Sequence, residues 1–507
     1  MVTLAVELSA SRLLGNVFGT SNIVWANVIG LILLYLAVGY FIGGRLADRS
    51  PHGRTLYTLL IWAAFLSALI PLAARPVLSA AASAMVNAEA ALALGSFLAI
   101  LILFSVPVTL LGMVSPFTIR LAIHDAADAG RISGAIYAIS TIGSLVGTFL
   151  PTLFLIPELG TFRTFLLFAG VLYVVAWIGL WREVGWRAAI WLWMPVVVAV
   201  LSALVLSGPL RAANEGHTLL MEDETGYNYI QVQEDERGFR YLYLNEGQGV
   251  HSIYHPTQYR YGGTWDYFLA APYFNAGQTP DQVQSLLVIG LAAGTIPRQY
   301  QHVYGDIRMA GVEIDPGIIE AGAEYFEMNE SEMPSLDVAA QDGRYILTQL
   351  DESFDVVAID AYRPPYIPWH LTTVEFFQEV RDHLTARGVV AINVGRTQED
   401  RRLVDALTNV LLKVYPSVHA IDVPRSFNTI LVATVEPTTA DQLAVNAAAL
   451  PVDANPTLRD VLNESIGAQV AIHPSEVVFT DDRAPLETLV DSLVLNFLLS
   501  GNAEQLQ

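Results

Sequence analysis

Residues 285–294 read Ser285-Leu286-Leu287-Val288-Ile289-Gly290-Leu291-Ala292-Ala293-Gly294, and nineteen positions after Gly294 stands Glu313. A five-residue apolar run, a glycine-bounded turn, a helix to about 303 and a second apolar run over 307–314 form the pattern strand, turn, helix, strand. A strand that feeds straight into a helix brings its backbone close to a ligand only where the side chains are small. Ala292, Ala293 and Gly294 are that small, so Gly290 and Gly294 are candidate ligand-binding positions. Glu313, ending the second strand, is placed to accept hydrogen bonds from the two hydroxyls of a ribose. The plain alternative is a tight connection followed by a surface glutamate; the spacing to Glu313 favours a nucleoside site.

The pattern continues outward on both sides. Buried strands are expected at 354–359, 389–394 and 429–435, and strands alternating with helices imply a doubly wound, mainly parallel, Rossmann-like sheet over 283–507. Asp342, before Gly343, closes the third strand, where a carboxylate can accept from an adenine amino group. Asp360 follows 354–359 at the edge where open α/β sheets bind ligands. An acid in that position is otherwise a helix cap, but three carboxylates at three successive strand ends outline a nucleoside site with a spare acid. Tyr362, Tyr366 and Trp369 cluster beside Asp360 and either wall the reacting chain or pack against a neighbouring subdomain. His251, His255 and His370 lack a metal-binding spacing and read as surface or packing histidines, so no metal site is expected. Upstream, a linker around 207–216 leads into short β-formers at 229–232 and 241–244, a small β subdomain over 217–275.

The first 210 residues are a different material. Seven apolar stretches, at about 2–18, 23–44, 55–74, 88–113, 133–156, 163–181 and 188–207, approach the roughly 20 residues that cross a bilayer. They make 1–210 an α-helical, multi-pass domain in the cell membrane. Gly143 and Gly147 have the spacing that lets a neighbouring helix approach. Pro107, Pro116, Pro151 and Pro195 are expected to kink or end helices. Glu7 and Arg12 read as a structural ion pair within the first span.

Charge divides at the same place. Residues 1–213 hold 11 Arg and 7 acidic residues, whereas 214–507 hold 16 basic and 42 acidic ones, so a +4 half and a −26 half make up the net −22. A domain that acidic is a poor nucleic-acid binder, since such binding depends on Lys and Arg neutralising phosphates. The chain has no cysteine, which removes disulfides and thiolate chemistry. No cleavable signal segment is expected at the first apolar stretch. Seven loop arginines, including Arg45, Arg120 and Arg182, would share one side of the membrane, against Arg75, Arg163 and Arg211 on the other. The positive-inside rule with seven spans puts the soluble half outside, whereas a nucleotide-like cosubstrate is normally cytosolic. The two signals point to opposite sides.

Residues 217–435 resemble the polyamine aminopropyltransferases, the spermidine synthase family, and the whole chain resembles the bacterial membrane-fused branch of that family. The matching segments are Tyr227-Asn228-Tyr229-Ile230, Asn245-Glu246-Gly247-Gln248, the turn 290–294, Glu313-Ile314-Asp315, Gln341-Asp342-Gly343, Asp360-Ala361-Tyr362-Arg363-Pro364 and Leu371-Thr372-Thr373-Val374-Glu375-Phe376-Phe377, with Thr480-Asp481-Asp482-Arg483-Ala484-Pro485 late in the chain. The resemblance implies a transferase of polyamine biosynthesis with no tightly bound cofactor. Decarboxylated S-adenosylmethionine would give its aminopropyl group to a polyamine and leave as methylthioadenosine. Glu313 would hold the ribose, Asp342 the adenine amino group and Gln248 the ligand near its sulfur. Asp360 would orient or deprotonate the amine, with Asn228, Tyr362 and Arg363 toward the substrate. Homodimerisation is implied as well.

Three positions depart from the family pattern. Ala293 replaces an Asp that holds the aminopropyl ammonium, Arg363 replaces a second Asp, and Asn228 replaces a Gln. Guanidinium pairs with carboxylate in bidentate fashion, so the exchange at 363 suits intact S-adenosylmethionine as donor. Transfer to an amine, or intramolecular attack that cyclises the donor, would each release methylthioadenosine. The competing readings are a methyltransferase acting on a lipid or membrane acceptor, and a sensor or transporter that binds nucleoside without turnover.

Overall fold

The computed structural model describes residues 1–18, 22–84, 91–206, 209, 211–245, 249–362 and 367–499. Gln248, Arg363 and Tyr366 lie outside the described residues. The described chain forms two compact units, one of residues 1–212 with 224–228, the other of 213–223 with 229–499.

The first unit is helical: α1 (Val2–Phe18), α2 (Asn22–Arg49), α3 (Gly53–Ala84), α4 (Ala91–Ala122), α5 (Ala129–Leu150), α6 (Ile156–Val184) and α7 (Trp193–Leu206). Helices are what an apolar chain must form where no water can satisfy its backbone. Four runs are long and apolar enough to cross a membrane: Val24–Arg49, Gly53–Ala74, Gly95–Ala122 and Ala129–Val205. The last takes in α5, α6 and α7. The apolar surface is turned outward, with Phe41, Ile102, Ile139 and Leu204 exposed.

Glycine decides how these helices meet. A Cβ on Gly147 would stand 2.2 Å from the Met1 carbonyl oxygen, so the expected small-residue approach does occur at this glycine. A second pair, Gly39 and Gly43, lets α2 lie against α4, where a Cβ would reach Thr109 O at 2.4 Å and Met113 Cα at 2.6 Å. Pro107 and Pro116 sit inside α4 without ending it, and Pro151 opens a π-helical turn. The helical path instead breaks at Gly160 (φ +77°) within α6. Glu224 accepts there from the Thr161 N–H at 3.2 Å and hydroxyl at 2.5 Å, and it pairs with Arg12 at 3.8 Å.

The second unit holds two sheets. Strands β1 (His217–Glu224), β2 (Tyr229–Asp235), β3 (Arg240–Leu244) and β4 (Val250–Tyr254) form the small sheet in that order, with β2–β3 and β3–β4 antiparallel. Its apolar residues Ile230, Val232, Leu242 and Leu244 pack with Ala293, Ile318 and Phe326. The segment 264–274, expected within this subdomain, is a 3-10 run whose side chains are buried with those of the large sheet.

The large sheet comprises β5 (Ser285–Ile289), β6 (Arg308–Glu313), β7 (Leu336–Ala340), β8 (Phe354–Ile359), β9 (Leu384–Gly395), β10 (Ser417–Asp422), β11 (Asn428–Thr434) and β12 (Gln469–Val470). Their spatial order is β12-β10-β11-β9-β8-β5-β6-β7. The strands β7, β6, β5, β8 and β9 are parallel neighbours, but β9–β11, β11–β10 and β10–β12 are antiparallel. The sheet is therefore mixed, because β10 and β11 are joined by a tight turn at 423–427 that returns the chain without a crossover helix. Alternate residues feed opposite faces: Leu287, Val357 and Ile392 join one core cluster, Val288, Ala358 and Ala391 the other. Both faces are covered, which is why these strands read as unbroken apolar runs.

Helices α8 (Thr295–Tyr304), α9 (Pro316–Tyr325), α10 (Gly343–Leu347), α11 (Val374–Asp382), α12 (Arg402–Leu412), α13 (Gln442–Ala448), α14 (Pro456–Ala468) and α15 (Leu486–Leu499) complete the unit. From β5 the chain builds β6 and β7 on one side, then returns to place β8 on the other. Strand order reverses between β5 and β8, and their carboxyl ends are where such sheets bind ligands.

Candidate active site at the carboxyl edge of the sheet

Backbone hydrogen bonds tie four strand ends together. The Asp360 N–H donates to Ile289 O at 2.9 Å, the Gly290 N–H to Val312 O at 3.0 Å, and the Gln341 N–H to Glu313 O at 2.9 Å. Gly290 has φ +85°, and a Cβ there would lie 2.6 Å from the backbone of Asp360 and Ala361. The turn after β5 thus touches the segment after β8 main chain to main chain. Gly294, also at φ +85°, opens α8, and Gly343 fits under Ile289, whose Cγ2 would stand 2.3 Å from an added Cβ.

Glu313 is buried, and its carboxylate accepts from the Ala292 N–H at 3.0 Å and the Asp315 N–H at 3.2 Å. Burial pushes its pKa up to about 7 against the pull of these N–H donors. Ala292 holds φ +47° to aim its N–H, an uncommon conformation for a residue with a Cβ. Ala293 donates to Ser252 Oγ of β4 at 2.9 Å while its methyl group is buried in the apolar cluster around Phe326.

Asp342 does two jobs. Its Oδ1 caps α10 by accepting from the Arg344 and Tyr345 N–H groups at 2.9 and 3.0 Å, and its Oδ2 meets His370 Nε2 at 2.9 Å. Burial alone would raise its pKa, but these bonds outweigh it and hold the carboxyl below its ordinary range. His370, read from the sequence as a surface or packing residue, is in fact a partner of a site carboxylate. Beside it, Arg344 reaches Glu379 and Asp481, and Thr373 donates to Asp481 at 2.7 Å. The late segment Thr480–Pro485 is thereby fastened to the start of α10.

Asp360 is half-buried, and desolvation raises its pKa to about 7 against hydrogen bonds from Asn393 and the Trp265 indole. The Asn393 bond, from Nδ2 to Oδ1, is 2.8 Å long. Tyr362 is partly buried against the core, its hydroxyl accepting from the Gly395 N–H at 2.5 Å, and desolvation followed by the nearby Asp360 charge pushes its pKa upward. Of the expected aromatic cluster, Tyr362 is partly buried and Trp369 is 45% exposed. The described bonds of the Asn228 backbone are local, closing a turn with Thr225 within 224–228.

Glu313, Asp342, Asp360, Gly290, Gly294, Gly343 and Tyr362 therefore come to one edge of one sheet. Asn393 and Trp265 were missed from the sequence. Asn393 left a signal, a lone amide in the run Val389-Val390-Ala391-Ile392-Asn393-Val394, because a buried polar group must find a partner. Trp265 left none, being one aromatic among many in 264–274.

Residues 277–441 match the spermine/spermidine synthase domain family. A probable polyamine aminopropyl transferase of Bifidobacterium longum is 29% identical over 290 residues, covering 54% of this chain and 62% of that protein. An eEF1A lysine and N-terminal methyltransferase of Xenopus laevis is 28% identical over 167 residues, 31% of this chain and 24% of the relative. The chain thus spans less than two thirds of the length of either relative. Among solved structures, a probable spermidine synthase from Corynebacterium glutamicum is similar with a TM-score of 0.40 at 18% identity, covering 52% of this chain and 98% of that one. The C-terminal half of the chain contains a spermine/spermidine synthase domain.

Proposed function

We propose that this protein is a membrane-anchored transferase that breaks a carbon–sulfur bond of a sulfonium nucleoside, S-adenosylmethionine or its decarboxylated form, and releases methylthioadenosine. An amine attacks the carbon bonded to sulfur; the new C–N bond forms as the C–S bond breaks, and the sulfur keeps the bonding pair. The amine's surplus proton passes to Asp360. The observation that carries this reading is the half-buried Asp360, bonded by Asn393 and pushed up to about 7, beside a glycine turn whose N–H grips Glu313. A base poised near neutrality is suited to general-base work, and alignment of amine, carbon and sulfur contributes the rest. Glu313 binds the ribose and Asp342 the adenine amino group, and the resemblance in sequence gives Gln248, Asn228, Tyr362 and Arg363 their roles toward the transferred chain and the acceptor.

The buried methyl of Ala293 offers no counter-charge to an ammonium group. This favours the intact donor, its carboxylate facing Arg363, with aminocarboxypropyl transfer as the reaction. The similarity to eEF1A methyltransferases supports a second reading, methyl transfer at the same edge. The helical half anchors the enzyme in the bilayer and two copies pair.

The deciding experiment incubates the full-length protein with each donor, with and without putrescine, and identifies products by mass. Methylthioadenosine is expected, more from the intact donor, and Arg363→Asp should reverse that preference. S-adenosylhomocysteine in its place would establish methyl transfer, and methylthioadenosine formed equally without amine would establish cyclisation. Neither product from either donor would sink the proposal.

A further inference from the structure

Behind Asp360 runs a chain of three hydrogen-bonded side chains. Ser426 Oγ donates to Asn428 Oδ1 at 2.7 Å, Asn428 Nδ2 to Asn393 Oδ1 at 2.8 Å, and Asn393 Nδ2 to Asp360 Oδ1 at 2.8 Å. Asn393 is 6% exposed, on β9, and Asn428 opens β11 beside it. An amide has one accepting and one donating end. Because Asn428 occupies the accepting end of Asn393, only the donating end is left for Asp360.

We infer that Asn393 is a positioning residue for the base, and that Asn428 and Ser426 set its polarity so that Asp360 is held as an acceptor, ready to take the amine's proton. The inference rests on the reading of Asp360 as that base. Other groups facing Asp360 are the Trp265 indole from the 3-10 segment and the Tyr362 phenol from the chain after β8. Neither fixes an amide orientation. Protonation of Asp360 at Oδ1 would set two donors face to face unless both amides turned over, so the chain favours the ionised acid and its quick return after each turnover.

The test uses the full-length protein and two variants. Asn393→Ala removes the donor. Asn428→Asp, nearly isosteric and one residue further from the base, cannot donate to Asn393; it draws the Asn393 amide nitrogen and leaves Oδ1 facing Asp360, which only the protonated acid satisfies. Methylthioadenosine release is followed against pH, with donor binding measured by calorimetry. The acidic limb of the rate profile, where Asp360 takes up a proton, should move by about 1 to 2 pH units to higher pH in Asn393→Ala, the worth of a hydrogen bond to a charged group. It should move further in Asn428→Asp, with donor affinity unchanged in both. An unmoved limb in both variants overturns the inference. Melting temperature against pH, read relative to Asp360→Asn, gives a second measure that needs no turnover. The Asp360-dependent transition should shift in the same order even if the wild type proves to run a different reaction, and its failure to shift also overturns the inference.

Discussion

Glu313 and Asp360 end the two strands that flank β5, one on each side, and burial raises both to a pKa of about 7. They are held in opposite ways. Glu313 is gripped by main-chain N–H groups of the glycine turn and of its own strand end, whereas Asp360 is held by side chains from β9 and the 3-10 segment. A carboxyl fixed by backbone is placed by chain path alone and keeps its partners whatever the neighbouring side chains do. One fixed by side chains can be tuned and can change state. The first arrangement suits a binding group, the second a proton acceptor.

The sharpest break of this comparison is Asp360→Asn. Loss of a general base should lower the rate of methylthioadenosine release by about 10² to 10⁴-fold with little change in donor affinity. If donor binding fell instead with the rate preserved, the two acids would have exchanged roles. Gly290→Ala acts on both ends at once, since its Cβ would displace the Asp360–Ala361 backbone and the residue must keep φ +85°; we expect at least about a 10-fold loss of rate together with about 1 to 3 kcal/mol of stability. Glu313→Gln should weaken donor binding by about 10-fold or more while leaving the rate at saturating donor nearly intact, as expected when hydrogen bonds to a charged group are lost. Equal losses in saturated rate and affinity would place Glu313 in the chemistry.

The smallest effect concerns pH and stability. Both acids have folded pKa values above the roughly 4 of an unfolded carboxyl. Each therefore favours the fold most below its unfolded value, and that contribution is lost as pH rises through about 7. Buried His251 and His419, pushed down to about 4, favour the fold as pH rises through the same window, so the two acids are read by difference: the melting temperature at pH 7 relative to that at pH 4 should rise in Glu313→Gln and rise again in the double variant with Asp360→Asn. The same pH difference in all three proteins would contradict the burial of both groups.

The same contrast explains what could be read in advance. The glycine turn, Glu313 and the strand ends follow from local spacing, because β5, the turn, α8 and β6 are contiguous and the backbone does the placing. The return of β10 and β11 as antiparallel strands was not legible, since apolar runs buried on both faces look alike in either direction. Asn393 and Trp265 reach Asp360 from positions 33 and 95 residues away in the sequence, and His370 reaches Asp342 from 28. Partners of that kind are chosen by tertiary packing and leave at most one odd polar residue in an apolar run. In the helical unit spacing points to Gly143 and Gly147, of which only Gly147 meets backbone within 3 Å, whereas both members of the equally spaced Gly39–Gly43 pair do.

The fastening of Asp481 to Arg344 has a consequence for biogenesis. Residues 486–493 supply Leu486, Val490 and Leu493 to the same core face as Phe377 and Leu407, so during synthesis that part of the face stays uncovered until more than a hundred residues after β8 have been made. The nascent domain carries this apolar strip open in the meantime, a state prone to aggregation and in need of shielding. The Asp481 fastening beside Asp342 and closure of the strip are then one late event, so a chain halted before residue 481 would lack both together.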